Sequence, residues 1–305
     1  MQNILVIKLG ALGDFVQALG PFAAIRHYHR DSRITLLTTQ PFEGLAAQSG
    51  YFDDIWIDDR PALWRIGAIF DLRQRLRGGA FDRIYDLQTA DRTNFYFRLL
   101  GRPKPEWSGI APGCSHPDAN PDRDALHTIE RQRGQLKAAG IEDVPLSDLS
   151  WLPRGSEKFD LPQGFVLLVA GGSAHRQDKR WLATRYAQLA RQLAATGRQP
   201  VLLGGGADRA ATAEIAESCP GVIDLTGKTS LADIAALAGA AAGAVGNDCG
   251  PMHLIAASGC PSLVLFSHAS DPALCAPRGA DVAILRRASL EDLDVNAVEA
   301  ALRLR

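Results

Sequence analysis

Uninterrupted apolar runs that end in glycine-rich turns recur in both halves of the chain. In the first half, Asn3–Leu9 (NILVIKL) leads into Gly10–Gly13, and in the second half Phe165–Ala170 leads into Gly171-Gly172. A run without polar alternation is typical of a parallel strand that helices cover on both faces. These runs therefore predict an α/β protein built on parallel sheets.

Helical patterns separate the further strand candidates. Strands are also predicted at Arg33–Thr38, Asp54–Asp58, Arg83–Gln88, Pro200–Leu203, Val222–Leu225, Ala244–Gly246 and Ser262–Phe266. Helices are predicted from Asp14 to Arg30, with a break or kink at Gly20-Pro21, and then at Pro61–Arg77, Arg92–Leu100, Asp124–Ala139, Leu182–Thr196, from about Ala207, and at Met252–Ser258. Ligands of such sheets bind outside the carboxyl ends of the strands, where the glycine clusters lie.

The length of 305 residues and the repetition of this alternation predict two domains. Residues 145–164 carry three prolines without a clean periodicity, which is typical of a linker. We expect residues 1–155 and 156–305 to form two doubly wound, Rossmann-like domains that face a central cleft.

Composition and charge disfavour several kinds of site and partner. The net charge is -1, so no nucleic-acid partner is expected. The five cysteines form no C-x-x-C motif, which disfavours a zinc site, and their odd number favours a reducing cytoplasm. The first residues lack the basic segment of a secretory signal. The most membrane-like stretch, Leu231–Gly246, is too short and too weakly hydrophobic to span a bilayer.

Asp14 is the first catalytic candidate, because it follows the turn after the first strand. Gly10 and Gly13 in that turn allow the backbone to approach a ligand closely. One interpretation is that Asp14 caps the next helix, since Asp is a favoured N-cap residue. The other is that its carboxylate is a general base in the expected cleft.

The second candidate is the turn from Gly246 to His253 (GNDCGPMH), which follows a strand and opens a helix. Its glycine and proline are typical of a helix start, and they leave the N–H groups of Cys249 and Gly250 at the positive end of the helix. That arrangement suits a pyrophosphate, with Asp248 and His253 beside it. The alternative is an ordinary βα turn.

The third candidate is His175–Trp181 (HRQDKRW), a loop that follows Gly171-Gly172-Ser173. It is either a solvated loop or a cationic clamp on a phosphate leaving group, with Lys179 as a point charge.

Other nucleotide and hydrolase motifs fail on spacing. Gly227-Lys228-Thr229 ends like a P-loop, but Val222 occupies the position of the first required glycine. The fifth residue of a G-x-S-x-G motif starting at Gly171 is His175. No G-x-G-x-x-G follows the first strand, so a nicotinamide enzyme and a serine hydrolase both lose support.

The segment from Arg60 to Lys104 is basic, with nine Arg and one Lys against four Asp, a net charge of +6. It is either a set of solvated helix faces or a surface for an anionic acceptor or an anionic membrane leaflet.

Three blocks resemble glycosyltransferase family 9, the ADP-heptose:lipopolysaccharide heptosyltransferases. They are ILVIKLGALGDFVQALGP at the N-terminus, DKRW at 178–181, and LTGKTSLADIAALAGAAAGAVGNDCGPMHLIAASGCPSLVLFS at 225–267, with weaker similarity in YDLQ at 85–88 and GGGADR at 204–209. The resemblance implies a GT-B fold, with acceptor in the first domain and nucleotide-sugar donor in the second. It also implies an inverting enzyme. We expect a cytoplasmic protein without a cofactor, which contacts the cytoplasmic face of the inner membrane peripherally if the basic segment binds that leaflet.

The resemblance also assigns roles to individual residues. Asp14 matches the proposed base, on the acceptor side with Gly10 and Gly13. Lys179 matches the lysine that contacts donor phosphate. The donor side is implied to comprise Gly171, Gly172, Ser173, Asp208 (ribose), Thr229 (adenine), Asp248, Cys249, Gly250 and His253.

Two positions depart from the family pattern. Cys249 stands where Ser or Thr is usual, and Leu182 replaces the usual proline after Lys-x-Trp. No carboxylate cluster with metal-ligand spacing is evident, so the mechanism needs no metal. The implied partners are ADP-heptose and an anionic glycolipid or glycan acceptor. The alternatives are another sugar-nucleotide enzyme, such as an epimerase, and a catalytically silent nucleotide-binding protein.

Overall fold

A computed structural model of the protein describes residues 1–155, 157–172 and 175–305. The chain divides into two compact units, Met1–Ser147 and Asp148–Arg305. The division falls within the predicted linker, residues 145–164.

The first unit is built on a parallel sheet. Its strands are β1 (Asn3–Ile7), β2 (Arg33–Thr38), β3 (Asp54–Ile57), β4 (Arg83–Asp86), β5 (Glu106–Gly109) and β6 (His116–Pro117). Its helices are α1 (Leu12–Gln17), α2 (Leu19–Tyr28), α3 (Glu43–Gln48), α4 (Ile66–Gly78), α5 (Asp91–Leu99) and α6 (Thr128–Ala138). The strand order is β3-β2-β1-β4-β5-β6, and every pair is parallel.

The second unit repeats this plan. Its strands are β7 (Val166–Val169), β8 (Pro200–Leu202), β9 (Ile223–Asp224), β10 (Gly243–Asn247), β11 (Ser262–Phe266) and β12 (Val282–Arg286). Its helices are α7 (Ala183–Ala195), α8 (Arg209–Ser218), α9 (Leu231–Ala240), α10 (Gly250–Ala257), α11 (Pro272–Cys275) and α12 (Val295–Ala301). The strand order is β12-β11-β10-β7-β8-β9, again all parallel.

Both sheets share one topology. Counted from the first strand of each unit, the order is 3-2-1-4-5-6, which is the order of a dinucleotide-binding Rossmann fold. The order reverses between β1 and β4 in the first unit and between β7 and β10 in the second. The predicted class of two doubly wound parallel α/β sheets is therefore confirmed.

One helix prediction is wrong in its detail. The segment predicted as a helix from Asp14 to Arg30 is two helices that break at Ala18, and not at Gly20-Pro21. Pro21 is the third residue of α2, where its missing N–H removes no intrahelical bond. The break therefore precedes the proline.

Helix ends follow the local chemistry. At the start of α9, the Ser230 hydroxyl accepts from the Asp233 N–H, and the Asp233 carboxylate accepts from the Ser230 N–H, which is a capping box. At the end of α7, Gly197 has a φ of +78°, the left-handed conformation in which glycine commonly ends a helix. No helix in the described ranges is long and apolar enough to cross a membrane.

Close packing in the second sheet generates a stability prediction at Gly246 in β10. A Cβ atom there would lie 2.6 Å from the Met252 sulfur and 2.7 Å from the Val169 Cβ, both within the core. We expect Gly246→Ala to lower the free energy of unfolding by about 1–3 kcal/mol, because the Met252 side chain must leave its rotamer and the strand backbone must shift away from the Val169 Cβ. Urea denaturation followed by circular dichroism measures the change.

Gly221→Ala is the matched control, because a Cβ at Gly221 meets no atom within 4 Å. It should unfold like the wild type. Equal losses in the two variants would contradict the packing argument.

Candidate active site

The strand order of the first sheet reverses between β1 and β4, and we call the place where these two strands end side by side the first switch point. The Lys8 ammonium, just after β1, donates to the Leu87 carbonyl at 3.0 Å. The Leu9 N–H donates to the Gln88 side-chain oxygen at 2.9 Å. These bonds join the two strand ends, so the turn that carries Asp14 starts from a fixed position.

Asp14 lies in the first turn of α1, and the N-cap of that helix is Ala11. The capping interpretation of Asp14 is therefore wrong. Its carboxylate makes no hydrogen bond within the part of the chain that the structure describes. It sits at the positive end of α1, where a negative charge is stabilised, and it is only partly buried. That leaves its oxygen atoms available to a ligand.

Two buried charged groups support Asp14. Burial lowers the pKa of Lys8, while the nearby carboxylates of Asp14 and Asp86 act to raise it. Burial raises the pKa of Asp86 to about 6, against the hydrogen bonds it accepts from the N–H groups of Gln88 and Thr89. The Lys8 side chain therefore interacts electrostatically with both carboxylates, including that of the candidate base.

Gly10 and Gly13 contribute through the backbone. Gly10 has a φ of +128°, a conformation that favours glycine, and a Cβ there would lie 3.3 Å from the Phe42 ring. Gly13 is buried within α1. The structure thus requires glycine at position 10 for backbone conformation.

The second switch point is held by the buried side chain of Asn247, at the end of β10. Its amide nitrogen donates to the carbonyls of Ala170 and Gly171, at 2.9 and 3.2 Å. Its oxygen accepts from the Trp181 N–H and the Tyr186 hydroxyl, at 3.0 and 3.1 Å. One amide therefore connects the end of β7, the end of β10 and the start of α7.

Lys179 and Asp248 form an ion pair beside this amide. The Lys179 ammonium lies 2.6 Å from the Asp248 carboxylate, and the same oxygen accepts from the Ser270 hydroxyl at 2.6 Å. Both charged side chains are largely buried. The predicted point charge is thus paired with a carboxylate, and the phosphate contact of Lys179 stays a prediction.

The turn after Asp248 opens α10 as predicted. Cys249 is the N-cap in an extended conformation, and Gly250 and Pro251 are the first helical residues. His253 is buried on this helix. Burial raises the pKa of the Cys249 thiol to about 12, which favours the protonated thiol at neutral pH. The helix end favours an anion.

Asp208 is engaged in loop structure. Its carboxylate accepts from the N–H groups of Gly172 and Gly205 and from the Arg180 guanidinium, 3.2 Å away. A Cβ at Gly171 would lie 2.5 Å from this carboxylate, so only glycine fits there. Asp208 and Arg180 therefore join the loops after β7 and β8, and the ribose contact assigned to Asp208 stays a prediction.

Two of the predicted donor residues need separate mention. Thr229 lies partly buried in the loop after β9, at the same edge of the sheet as Gly171. Ser173 lies outside the described residues. Arg176, part of the predicted clamp, donates to the Ala269 carbonyl and lies on the exposed side of its loop.

Sequence reasoning missed several residues that organise the two sites. They are Lys8, Asp86, Gln88, Arg180, Asn247 and Ser270. A charged residue at the end of an apolar run, such as Lys8 after NILVI, was a usable sign. Ser270 had none, because it lies in a loop far from Asp248 in sequence. In the described ranges, no group of three or more His, Cys, Asp or Glu side chains could hold a metal ion.

Solved structures share this fold over nearly the whole chain. ADP-heptose lps heptosyltransferase II from E. coli is 21% identical, with a TM-score of 0.82 and coverage of 99% of this chain and 97% of that one. A glycosyltransferase family 9 protein from Veillonella parvula is 20% identical, with a TM-score of 0.85 and coverage of 98% and 95%. E. coli heptosyltransferase WaaC with ADP-2-deoxy-2-fluoro heptose is 18% identical, with a TM-score of 0.77 and coverage of 98% of each chain. No curated protein sequence matches the chain.

Two Rossmann-like sheets that match these structures define a GT-B fold. The profile of glycosyltransferase family 9 (heptosyltransferase) matches residues 69–297, and the chain belongs to that family. The resemblance in the sequence blocks is thereby confirmed.

The buried Asp86 generates a prediction about pH. Its folded-state pKa of about 6 lies above the ordinary aspartate pKa of 3.8, so the folded chain binds more protons between these values. The contribution of Asp86 to stability is therefore present below pH 3.8 and lost as the pH rises through about 6. In Asp86→Asn, we expect the fall in the free energy of unfolding over this window to shrink by about 1–3 kcal/mol, measured by urea denaturation at a series of pH values.

Asp31→Asn is the control, because Asp31 is an exposed carboxylate of the same unit. It should keep the wild-type pH dependence. An unchanged slope in Asp86→Asn would show that Asp86 does not titrate in this window.

Proposed function

We propose that the protein transfers a heptose from ADP-heptose to a lipopolysaccharide-core or other glycan acceptor, with inversion at the anomeric carbon. The observation that carries the proposal is the placement of the two predicted sets of residues. Asp14 lies at the switch point of the first sheet, and Lys179, Asp248 and Cys249 lie at that of the second. Family membership and the ADP-heptose named for the E. coli relative support this donor.

Asp14 is proposed as the general base, in the unit that binds the acceptor. Its carboxylate accepts the proton of an acceptor hydroxyl while that oxygen bonds to the anomeric carbon. It lies in the first turn of α1, is only partly buried and accepts no hydrogen bond from the described residues, so its oxygen atoms are available to the acceptor hydroxyl.

The second unit is proposed to bind ADP-heptose and to stabilise the departing ADP. As the bond from the anomeric carbon to the diphosphate breaks, negative charge grows on the diphosphate. The N–H groups at the start of α10 and the Lys179 ammonium meet this charge. The ion pair with Asp248 fixes the ammonium in place before the donor binds. No cofactor takes part in this step.

Asp14→Asn tests the base. The variant keeps the shape of the side chain but removes its basicity, so we expect kcat to fall by about 10²–10⁴-fold while ADP affinity stays unchanged. Mass spectrometry of the glycan product and calorimetric titration with ADP measure the two quantities. Asp31→Asn is the control and should transfer normally, whereas normal turnover by Asp14→Asn would exclude this residue as the base.

Lys179→Met tests the donor site. Loss of the ammonium leaves the partly buried Asp248 carboxylate without its ion-pair partner next to the expected diphosphate, so we expect ADP affinity to fall by at least about tenfold. Lys158→Met is a matched control, because Lys158 also pairs with an aspartate, Asp233 at 2.8 Å, at an exposed site on the same unit. Equal ADP affinities in the two variants would count against the assignment.

The same assays separate the alternatives. An epimerase would convert the nucleotide sugar without an acceptor and without release of ADP. A silent binding protein would bind ADP and give no product. Acceptor-dependent release of ADP, together with a product heavier by one heptose, is the expected result.

A further inference from the structure

Large apolar side chains are exposed on one short segment of the first unit. Of nine such side chains in the described ranges, four lie between residues 63 and 70. Trp64 is 84% exposed and Ile66 80%, and Leu63 and Phe70 are more than half exposed. Single exposed apolar residues are common on protein surfaces, but a contiguous set indicates a surface that binds another protein, a membrane or a ligand.

The helical geometry of α4 places apolar and basic groups on one face. Ile66, Phe70, Arg73 and Arg77 are spaced at i, i+4, i+7 and i+11, and all four are exposed. The core-facing side of the helix carries the buried Leu72 and Leu76. The exposed face is therefore apolar where α4 begins and cationic where α4 ends.

The charge of this segment is positive. Residues 59–77 hold five Arg against two Asp, a net charge of +3. Asp71 lies on a different side of α4 from the Ile66–Phe70 stripe. Arg75 is directed at the first unit itself, since it donates to the Ile57 carbonyl and lies over the Trp56 ring. Arg65 and Arg73 are exposed beside the apolar side chains. Apolar groups with flanking arginines are complementary to an anionic lipid surface.

The segment is fixed at the sheet edge that carries Asp14. It follows β3, and α4 begins at the carboxyl edge of the parallel sheet, since it connects β3 to the parallel β4. The Tyr96 hydroxyl donates to the Asp58 carboxylate at 2.6 Å, and Arg92 donates to the Pro61 carbonyl. Both anchoring residues belong to α5, the helix that follows β4. The segment that carries the exposed apolar side chains is thus hydrogen-bonded to α5, in the unit that contains Asp14.

We propose that Leu63, Trp64, Ile66 and Phe70, flanked by Arg65 and Arg73, form a docking surface for the headgroup region of an anionic lipid bilayer. The apolar side chains enter the boundary between headgroups and acyl chains, and the arginines contact lipid phosphates. Since the surface lies at the same edge as Asp14, docking brings the unit to a lipid-linked acceptor. This proposal goes beyond the transfer reaction, because it concerns the surface at which the protein acts and not the reaction that it catalyses.

Vesicle co-sedimentation of the full chain tests the surface without donor or acceptor, so its outcome is independent of the proposed transfer. We expect the protein to bind vesicles of phosphatidylcholine with phosphatidylglycerol, and to bind pure phosphatidylcholine far more weakly. The double variant Trp64→Ser/Ile66→Ser should lose at least about tenfold in partitioning. Arg65→Gln/Arg73→Gln should lose the preference for anionic vesicles. Ile284→Ser, which removes an exposed apolar side chain of the second unit, should bind like the wild type.

A second measurement reports insertion directly. Brominated lipid should quench part of the tryptophan emission of the wild type, and Trp64→Phe should remove that part while keeping vesicle binding. Equal binding of the wild type and the Trp64/Ile66 variant would overturn the proposal. The proposal would also be overturned if neither protein bound vesicles and lipid-free sedimentation showed a wild-type dimer and a monomeric Trp64/Ile66 variant. The apolar surface would then be a dimer interface.

Discussion

The parallel pairing of central strands is the constraint on which the rest of the molecule depends. β1 pairs with β2 and β4, and β10 pairs with β7 and β11, so every strand-to-helix turn emerges at the same edge of its sheet. Parallel strands need crossovers that cover both faces, and this leaves the carboxyl edge as the place where backbone and polar side chains meet a ligand. The order reverses once in each sheet, and both candidate sites lie at that point.

The buried cations at the two candidate sites lie near carboxylates, and these carboxylates offset their positive charge. Lys8 lies near Asp14 and Asp86, Lys179 contacts Asp248, and Arg180 contacts Asp208. A buried charge is costly unless a partner and hydrogen bonds compensate it, so Lys179 and Arg180 are each held by an aspartate and Lys8 by the Leu87 carbonyl. The second candidate site is consequently less cationic than its sequence indicates. In the proposed function, oriented N–H groups and a positioned ammonium contribute more to diphosphate binding than net charge does.

Prediction from sequence succeeded where the pattern was local and strong. The strands at Arg33–Thr38 and Ser262–Phe266 have the predicted bounds, because their apolar runs are bounded by clear turn residues. It missed β5 and β6, which lack a continuous apolar run, and β12, whose residues are only partly buried or exposed. All three become strands through pairing with a preformed neighbour. The break in the first helix was placed at Gly20-Pro21, although proline is tolerated in a first helical turn and the backbone turns earlier.

The sequence by itself determined the α/β class, the family, and the positions of Asp14, Lys179 and the Asp248–His253 turn, because each belongs to a short motif read along the chain. Only the tertiary structure decided that Asp14 is not a helix cap and that Lys179 is paired with Asp248. It also decided that Asn247 joins the ends of β7 and β10. These facts depend on contacts between residues far apart in sequence. Such contacts arise only when the sheet order places one strand end beside another.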